Sequence, residues 1–211
     1  MRFPIVGKTI AELNAIGKPN GARSEAIPYV IYDQQNYPAA GSAAGLQFYL
    51  TQQADQTLGN LQTAGILPQP QWFEIHGIMA DFMAVPVIRA AGAAASAADG
   101  QLQDIELILK SARATWELTI AQKSYGVMPL TFLHASGGGV GFIAGAFTAT
   151  TQVNQGNNGV QGTTWAPNGS IIIPPTQGFN ITLRFQPTLV PVSQINPIRV
   201  SLVGVLHRAV R

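Results

Sequence analysis

Residues 170–211 read SIIIPPTQGFNITLRFQPTLVPVSQINPIRVSLVGVLHRAVR. Within this stretch Phe179, Ile181, Leu183 and Phe185 alternate with Asn180, Thr182, Arg184 and Gln186. A period of two is the signature of a strand with one buried and one wet face. Beyond a Pro-broken turn, Ile198, Val200, Leu202 and Leu206 share one face, with Gly204 among them. Arg199, Ser201 and His207 take the other, beside Val203 and Val205. A third apolar run, Ile171 to Ile173, stops at Pro174 and Pro175, which cannot donate to a ladder. So small a group of strands cannot bury enough apolar surface alone, so its partners must come from earlier in the chain.

Candidates for those partners are present. Leu46, Phe48 and Leu50 alternate with Gln47, Tyr49 and Thr51, a first strand. Trp72 to Val85 reads as a long second strand in which Phe73 and Ile75 share one phase, and Ile78, Ala80 and Phe82 the other. The slip falls at His76-Gly77, as a β-bulge would place it; a strand buried on both faces is the competing account. Residues 104–120 fit two patterns. Ile105, Ile108, Leu109, Ala112, Trp116 and Ile120 make a helical stripe, yet Ala114, Trp116, Leu118 and Ile120 alternate with Thr115, Glu117 and Thr119. We divide the stretch into one short helix over about 102–111 and a strand over about 114–122. A turn at Tyr125-Gly126 then leads into apolar Met128 to Leu133, and Phe142 to Thr151 reads as a further strand. Residues 58–67 and 152–162 read as loops, the second a polar run of Asn, Gln and Gly with turn chemistry. Residues 1–45 carry Pro4, Pro19, Pro28 and Pro38 without a sustained period, and read as an N-terminal arm, either draped on the surface or docked on a neighbouring copy.

The expected fold is therefore all-β: a two-sheet jelly-roll sandwich over 46–211, with an extended N-terminal arm over 1–45 and one short helix. Uneven, long connections favour the jelly roll over a meander. Only 10% of the 211 residues are charged, against about 25% in an ordinary soluble domain, while 46% are hydrophobic. So weakly charged a surface suits a molecule covered by copies of itself or by partners. All ten carboxylates lie at or before Glu117, leaving +5 after that point and −3 up to it. Five unclustered basic residues make a weak nucleic-acid footprint, so nucleic acid is not an expected partner and no nucleic-acid-binding residue is assigned. The chain has no cysteine, which removes disulfides and thiolate metal sites. No apolar run is long enough for a membrane span.

Chemistry-bearing residues do not assemble into a motif. His76, His134 and His207 are far apart, and none forms the i, i+2 or i, i+4 histidine pair that a metal site usually needs. Glu74 beside His76 is the best local candidate for a ligand pair; surface or interface hydrogen bonding is the plainer role for all three histidines. Glu74, Asp81 and Glu117 are the acids on expected strands, and their partners cannot be placed. No serine sits in G-x-S-x-G, and GGGVG over 137–141 lacks the Lys-Ser/Thr of a P-loop. Trp72, Trp116 and Trp165 are either a sugar platform or, by burial tendency, core. No catalytic residue, no metal ligand and no cofactor is assigned.

The stretches WFEIHGIMADF from Trp72, DIELILKSARATWELTIAQKSYGVMPLTFL from Asp104, IIIPPTQGFNITLRFQPTL from Ile171 and NPIRVSLVGVLHRAVR from Asn196 resemble jelly-roll virion proteins of bacteriophages. The resemblance spans about Leu46 to Arg211 and lies in element order rather than in a diagnostic motif. It implies a non-enzymatic structural virion protein of an icosahedral capsid: a major capsid protein, or a cement or vertex protein. It implies as partners copies of the chain, in a trimer or larger symmetric assembly, and other capsid proteins. Symmetry multiplies each modest contact in such a shell, and sheet edges would be covered by neighbours. A carbohydrate-binding jelly roll, as in a receptor-binding virion part, is the second expectation.

Overall fold

The computed structural model describes residues 24–82, 107–108, 113–133, 140–143, 153–156, 166–167, 171–186, 191–192 and 195–209. Its strands are β1 (Ser24–Tyr37), β2 (Leu46–Phe48), β3 (Trp72–Phe82), β4 (Thr115–Ile120), β5 (Lys123–Pro129), β6 (Val140–Ile143), β7 (Val153–Gly156), β8 (Ile171–Ile173), β9 (Phe179–Arg184) and β10 (Asn196–Ala209). They form two antiparallel four-stranded sheets, A in the order β1-β10-β3-β8 and B in the order β2-β9-β4-β5, with β6-β7 as a separate ribbon. The described part is an all-β sandwich with almost no helix. No described helix is long and apolar enough to cross a membrane.

The alternating stripes place the core. Phe179, Ile181 and Leu183 of β9 and Ala114, Trp116, Leu118 and Ile120 around β4 face Ile198, Val200 and Leu202 of β10 across the sandwich, all buried. The slip in β3 is a bulge: Val203 pairs with Gly77 and Gly204 with Ile75, so His76 is the extra residue. Phe73 and Ile75 before it, and Ile78, Ala80 and Phe82 after it, all point into the core. Opposite the bulge only glycine fits, because a Cβ on Gly204 would run into the carbonyl of Glu74. Of the helix expected over 102–111, only Leu107 and Ile108 lie among the described residues; Ile108 is buried in the core and Leu107 packs against it.

Four expectations need correction. Residues 24–37, read as the second part of the arm, are a 14-residue strand paired along β10; residues 1–23 lie outside the described part. The strand from Leu46 ends at Phe48, because Tyr49 turns at φ 70°, so Tyr49 is buried and Leu50 exposed. The turn expected at Tyr125-Gly126 falls at Ala121-Gln122, and Gly126 (φ 105°) instead serves the β4–β5 irregularity between Glu117 and Thr119. Val153–Gly156, read as loop, pairs with Val140–Ile143; backbone pairing in a short ribbon does not require an apolar stripe. The rest of the strand expected over 142–151 lies outside the described residues.

The sheet edges are managed by the chain itself among the described residues. The edge of β1 is covered at Val30, Tyr32 and Asp33 by the loop over 49–61. Asn60 accepts from the Tyr32 N–H (3.0 Å) and donates to the Val30 carbonyl (2.7 Å), so its amide imitates a neighbouring strand. The Tyr32 hydroxyl donates to the Gln56 carbonyl, and Arg199, 5.2 Å from the Tyr32 ring, donates to the Thr57 carbonyl (2.8 Å). β2 and β8 are three residues each, and β5 carries Lys123, its irregularity and Pro129. These are the usual devices that blunt an edge.

Candidate functional site

Two carboxylates on sheet A gather polar partners. On β1, Asp33 points inward and is buried. Its oxygens accept from the Tyr49 N–H (2.6 Å), Gln53 Nε2 (2.8 Å), the Gln34 N–H (2.9 Å) and Gln35 Nε2 (3.3 Å). A charge this deep is tolerable because N–H donors take the place of water. The Tyr49 hydroxyl, held by burial and then by the Asp33 charge well above its ordinary pKa, donates to the Val200 carbonyl (2.8 Å). Every partner belongs to the chain, so the arrangement ties the 49–61 loop to the sheet. It leaves no room for a substrate.

The second group lies on the outer face of β3 and β10. Two residues apart on β3, Glu74 and His76 both project outward, and the bulge shifts the phase only after His76. Antiparallel register sets His207 against Trp72 and Val205 against Glu74, which brings the imidazole of His207 to the same carboxylate. Glu74 Oε1 is 3.5 Å from His76 Nε2, and Oε2 is 3.7 Å from His207 Nε2, a distance too long for a hydrogen bond. The His207 ring stacks on the indole of Trp72 with centroids 3.5 Å apart and planes 3° from parallel. Its Nε2 is buried and has no hydrogen-bond partner. Burial pushes the His207 pKa below the ordinary imidazole value, the Glu74 charge pulls it back up, and His76 pushes it down again.

Sequence spacing had left the three histidines unconnected; register joins two of them. The bulge at His76-Gly77 was visible in the chain, and carrying the pairing across it would have placed His207 beside Glu74. Among the described residues no three His, Asp or Glu side chains are arranged to hold a metal ion. Glu117 faces outward on sheet B and pairs with Arg184 at 2.6 Å, while Asp81 is exposed at the far end of β3. Trp72 and Trp116 are both buried, so neither offers a sugar platform. His134 and Trp165 lie outside the described residues. A shallow depression of about 400 Å³ on sheet B, lined by Gln47, Thr182, Arg184 and Phe185 and the 43–45 loop, brings no acid–base pair together.

Compared with family models, with characterised proteins and with solved structures, the chain matches none.

Proposed function

We propose that the chain is a jelly-roll structural protein of a bacteriophage virion, a capsid shell component that acts by assembly with copies of itself and with other capsid proteins. The observation that carries the reading is the pairing of strands. With the β6–β7 ribbon set aside, eight strands remain in the two sheets. They pair first with last, second with seventh, third with sixth and fourth with fifth: β1 with β10, β2 with β9, β3 with β8, β4 with β5. Such pairing is what one long antiparallel hairpin acquires when rolled into two sheets, with β10–β3 and β9–β4 as the ladders within the roll. It is the logic of a double Greek key.

The surface supports the same reading. The outer face of sheet A presents Ala26, Pro28 and Val30 on β1 and Val203 and Val205 on β10, beside Glu74, His76, Asp81 and Arg199. That of sheet B presents Gln47, Thr115, Thr119, Asn180 and Thr182 around the Glu117–Arg184 pair. The uncharged parts of these faces desolvate at low cost and suit many weak, symmetry-repeated contacts. Since the edges are blunted, copies are expected to meet through faces and loop ends rather than by extending a sheet.

Light scattering and electron microscopy of the purified chain at rising concentration test the reading, with trimers or larger symmetric assemblies expected. A stained gel of purified virions should show it at the copy number of a shell component. A monomer that persists at high concentration, alone and with phage shells, would overturn the proposal. Saturable glycan binding by such a monomer would replace it with a receptor-binding role.

A further inference from the structure

The outer face of sheet B carries a row of polar side chains that the fold leaves open to solvent. Antiparallel register sets Gln47 of β2 against Thr182 of β9, and Thr182 against Glu117 of β4, so three strands contribute to one line across the sheet. Arg184, two residues on from Thr182, shares that face and donates from Nη2 to Glu117 (2.6 Å). The Thr182 hydroxyl makes only a long contact, donating to the Asn180 amide oxygen at 3.4 Å. Gln47 and Arg184 are exposed, and Thr182 is half-buried.

The depression of about 400 Å³ opens beside this row because the chain there is small: Ala43, Ala44 and Gly45 line one side of it. Gly45 holds φ 79°, and a Cβ on it would run into the Leu183 carbonyl. Only glycine lets the 43–45 loop lie this close to β9. The Ser42 hydroxyl donates to the Gly45 carbonyl (3.2 Å) and closes the loop. At the rim, Phe185 is buried edge-on against Tyr37, with ring centroids 5.0 Å apart, so it presents little aromatic face for stacking.

These features select a class of ligand. Glu117 and Arg184 neutralise one another, so a phosphate or carboxylate gains little there over water. The methyl groups of Ala43 and Ala44 are too little apolar surface for a lipid or a planar aromatic. What remains is a set of donors and acceptors together: the Gln47 amide, the Thr182 hydroxyl and the N–H groups that Arg184 has not given to Glu117. That set matches hydroxyl groups, which donate and accept at once. The volume falls near the lower end of ligand pockets, which run from about 300 to 1,000 Å³.

We propose that this depression on sheet B is a weak binding site for a neutral saccharide, engaged through adjacent ring hydroxyls by Gln47, Thr182 and Arg184. Among the described residues no carboxylate lines it, so the sugar is held and not cleaved. The site rests on the sandwich and not on the shell reading, which is decided by assembly state rather than by titration.

Amide-resolved NMR of the full chain, titrated with the methyl glycosides of galactose, glucose and mannose, tests this. The three sugars present adjacent hydroxyls in different orientations. At least one should give saturating shifts at Gly45, Gln47, Thr182 and Arg184, with a dissociation constant on the order of 1–10 mM for a ligand this small without a stacking platform. Thr182→Val, which keeps the branched shape and the strand preference, should weaken that binding about fivefold. Arg184→Lys, which keeps the charge and loses the planar fork, should do the same. Thr119→Val, on the same face but outside the depression, should leave binding unchanged. Galacturonic acid should bind no more tightly than the galactoside. The proposal is overturned if no glycoside gives saturating shifts well above that concentration, or if the shifts map elsewhere. It is overturned equally if Thr119→Val weakens binding as much as Thr182→Val, or if the acid is clearly preferred, which would make Arg184 an anion site.

Discussion

Asp33 and Glu74 are both sheltered carboxylates of sheet A, and they are held by opposite kinds of partner. Asp33 sits among backbone and amide N–H groups, which cannot titrate. Glu74 sits between two imidazoles. The first arrangement ties a loop to an edge strand. The second joins neighbouring residues of β3 and β10 across the ladder. Burial alone therefore does not say what a sheltered acid is held by; the partners do.

The largest effect expected from breaking this comparison is at Asp33. Asp33→Ala removes an acceptor from buried donors, including the Tyr49 N–H, and should cost about 3 kcal/mol or more. Urea unfolding measures it, and proteolysis should find the 49–61 loop cut first. A cost under about 1 kcal/mol would mean that the loop is held by its contacts with Tyr32 and Val30 instead.

Gly204 sharpens the other side. Its missing side chain lets the Glu74 carbonyl approach where the β3–β10 register shifts, next to Glu74 and His76. Gly204→Ala should cost about 2 kcal/mol by forcing the two strands apart, and it should disturb the titration of His207. The Asp33 network, on β1 and the loop, should keep its amide-exchange protection. Loss of protection at Tyr49 as well would show that the two sites are one cooperative unit.

What the chain disclosed and what it hid follow the same physics. β9, β10 and the bulge in β3 were legible because each buries one clean face, and a slip in phase is a slip in sequence. β1 was not. Its outward Ala26, Pro28 and Val30 are as apolar as its inward Ile27 and Ile31, so no alternation appears, and then Asp33 places a charge at an inward position. Glu74 and His207 lie on different strands, and their meeting depends on register, which a single stripe does not contain. Gly126 misled because glycine serves turns and bulges alike.

Glu117 supplies the reference against which both sheltered acids can be measured. Its partner, Arg184, approaches to 2.6 Å, closer than either histidine comes to Glu74; the Arg184 side chain is 63% exposed, although that of Glu117 is only 14% exposed. Water reaches the arginine side of that pair, and ordering a long side chain offsets much of the attraction. Arg184→Ala should therefore cost less than about 1 kcal/mol, and a double-mutant cycle with Glu117→Gln should return a coupling of roughly 0.5 kcal/mol. Raising the salt concentration to about 1 M should shrink that coupling further, since the screening length falls to about 3 Å. The Asp33 contacts, sealed from solvent, should not respond to salt. A coupling above about 1.5 kcal/mol that survives salt would mean the outer face of sheet B is covered in solution, and the assembly state of the sample would then be the quantity to measure.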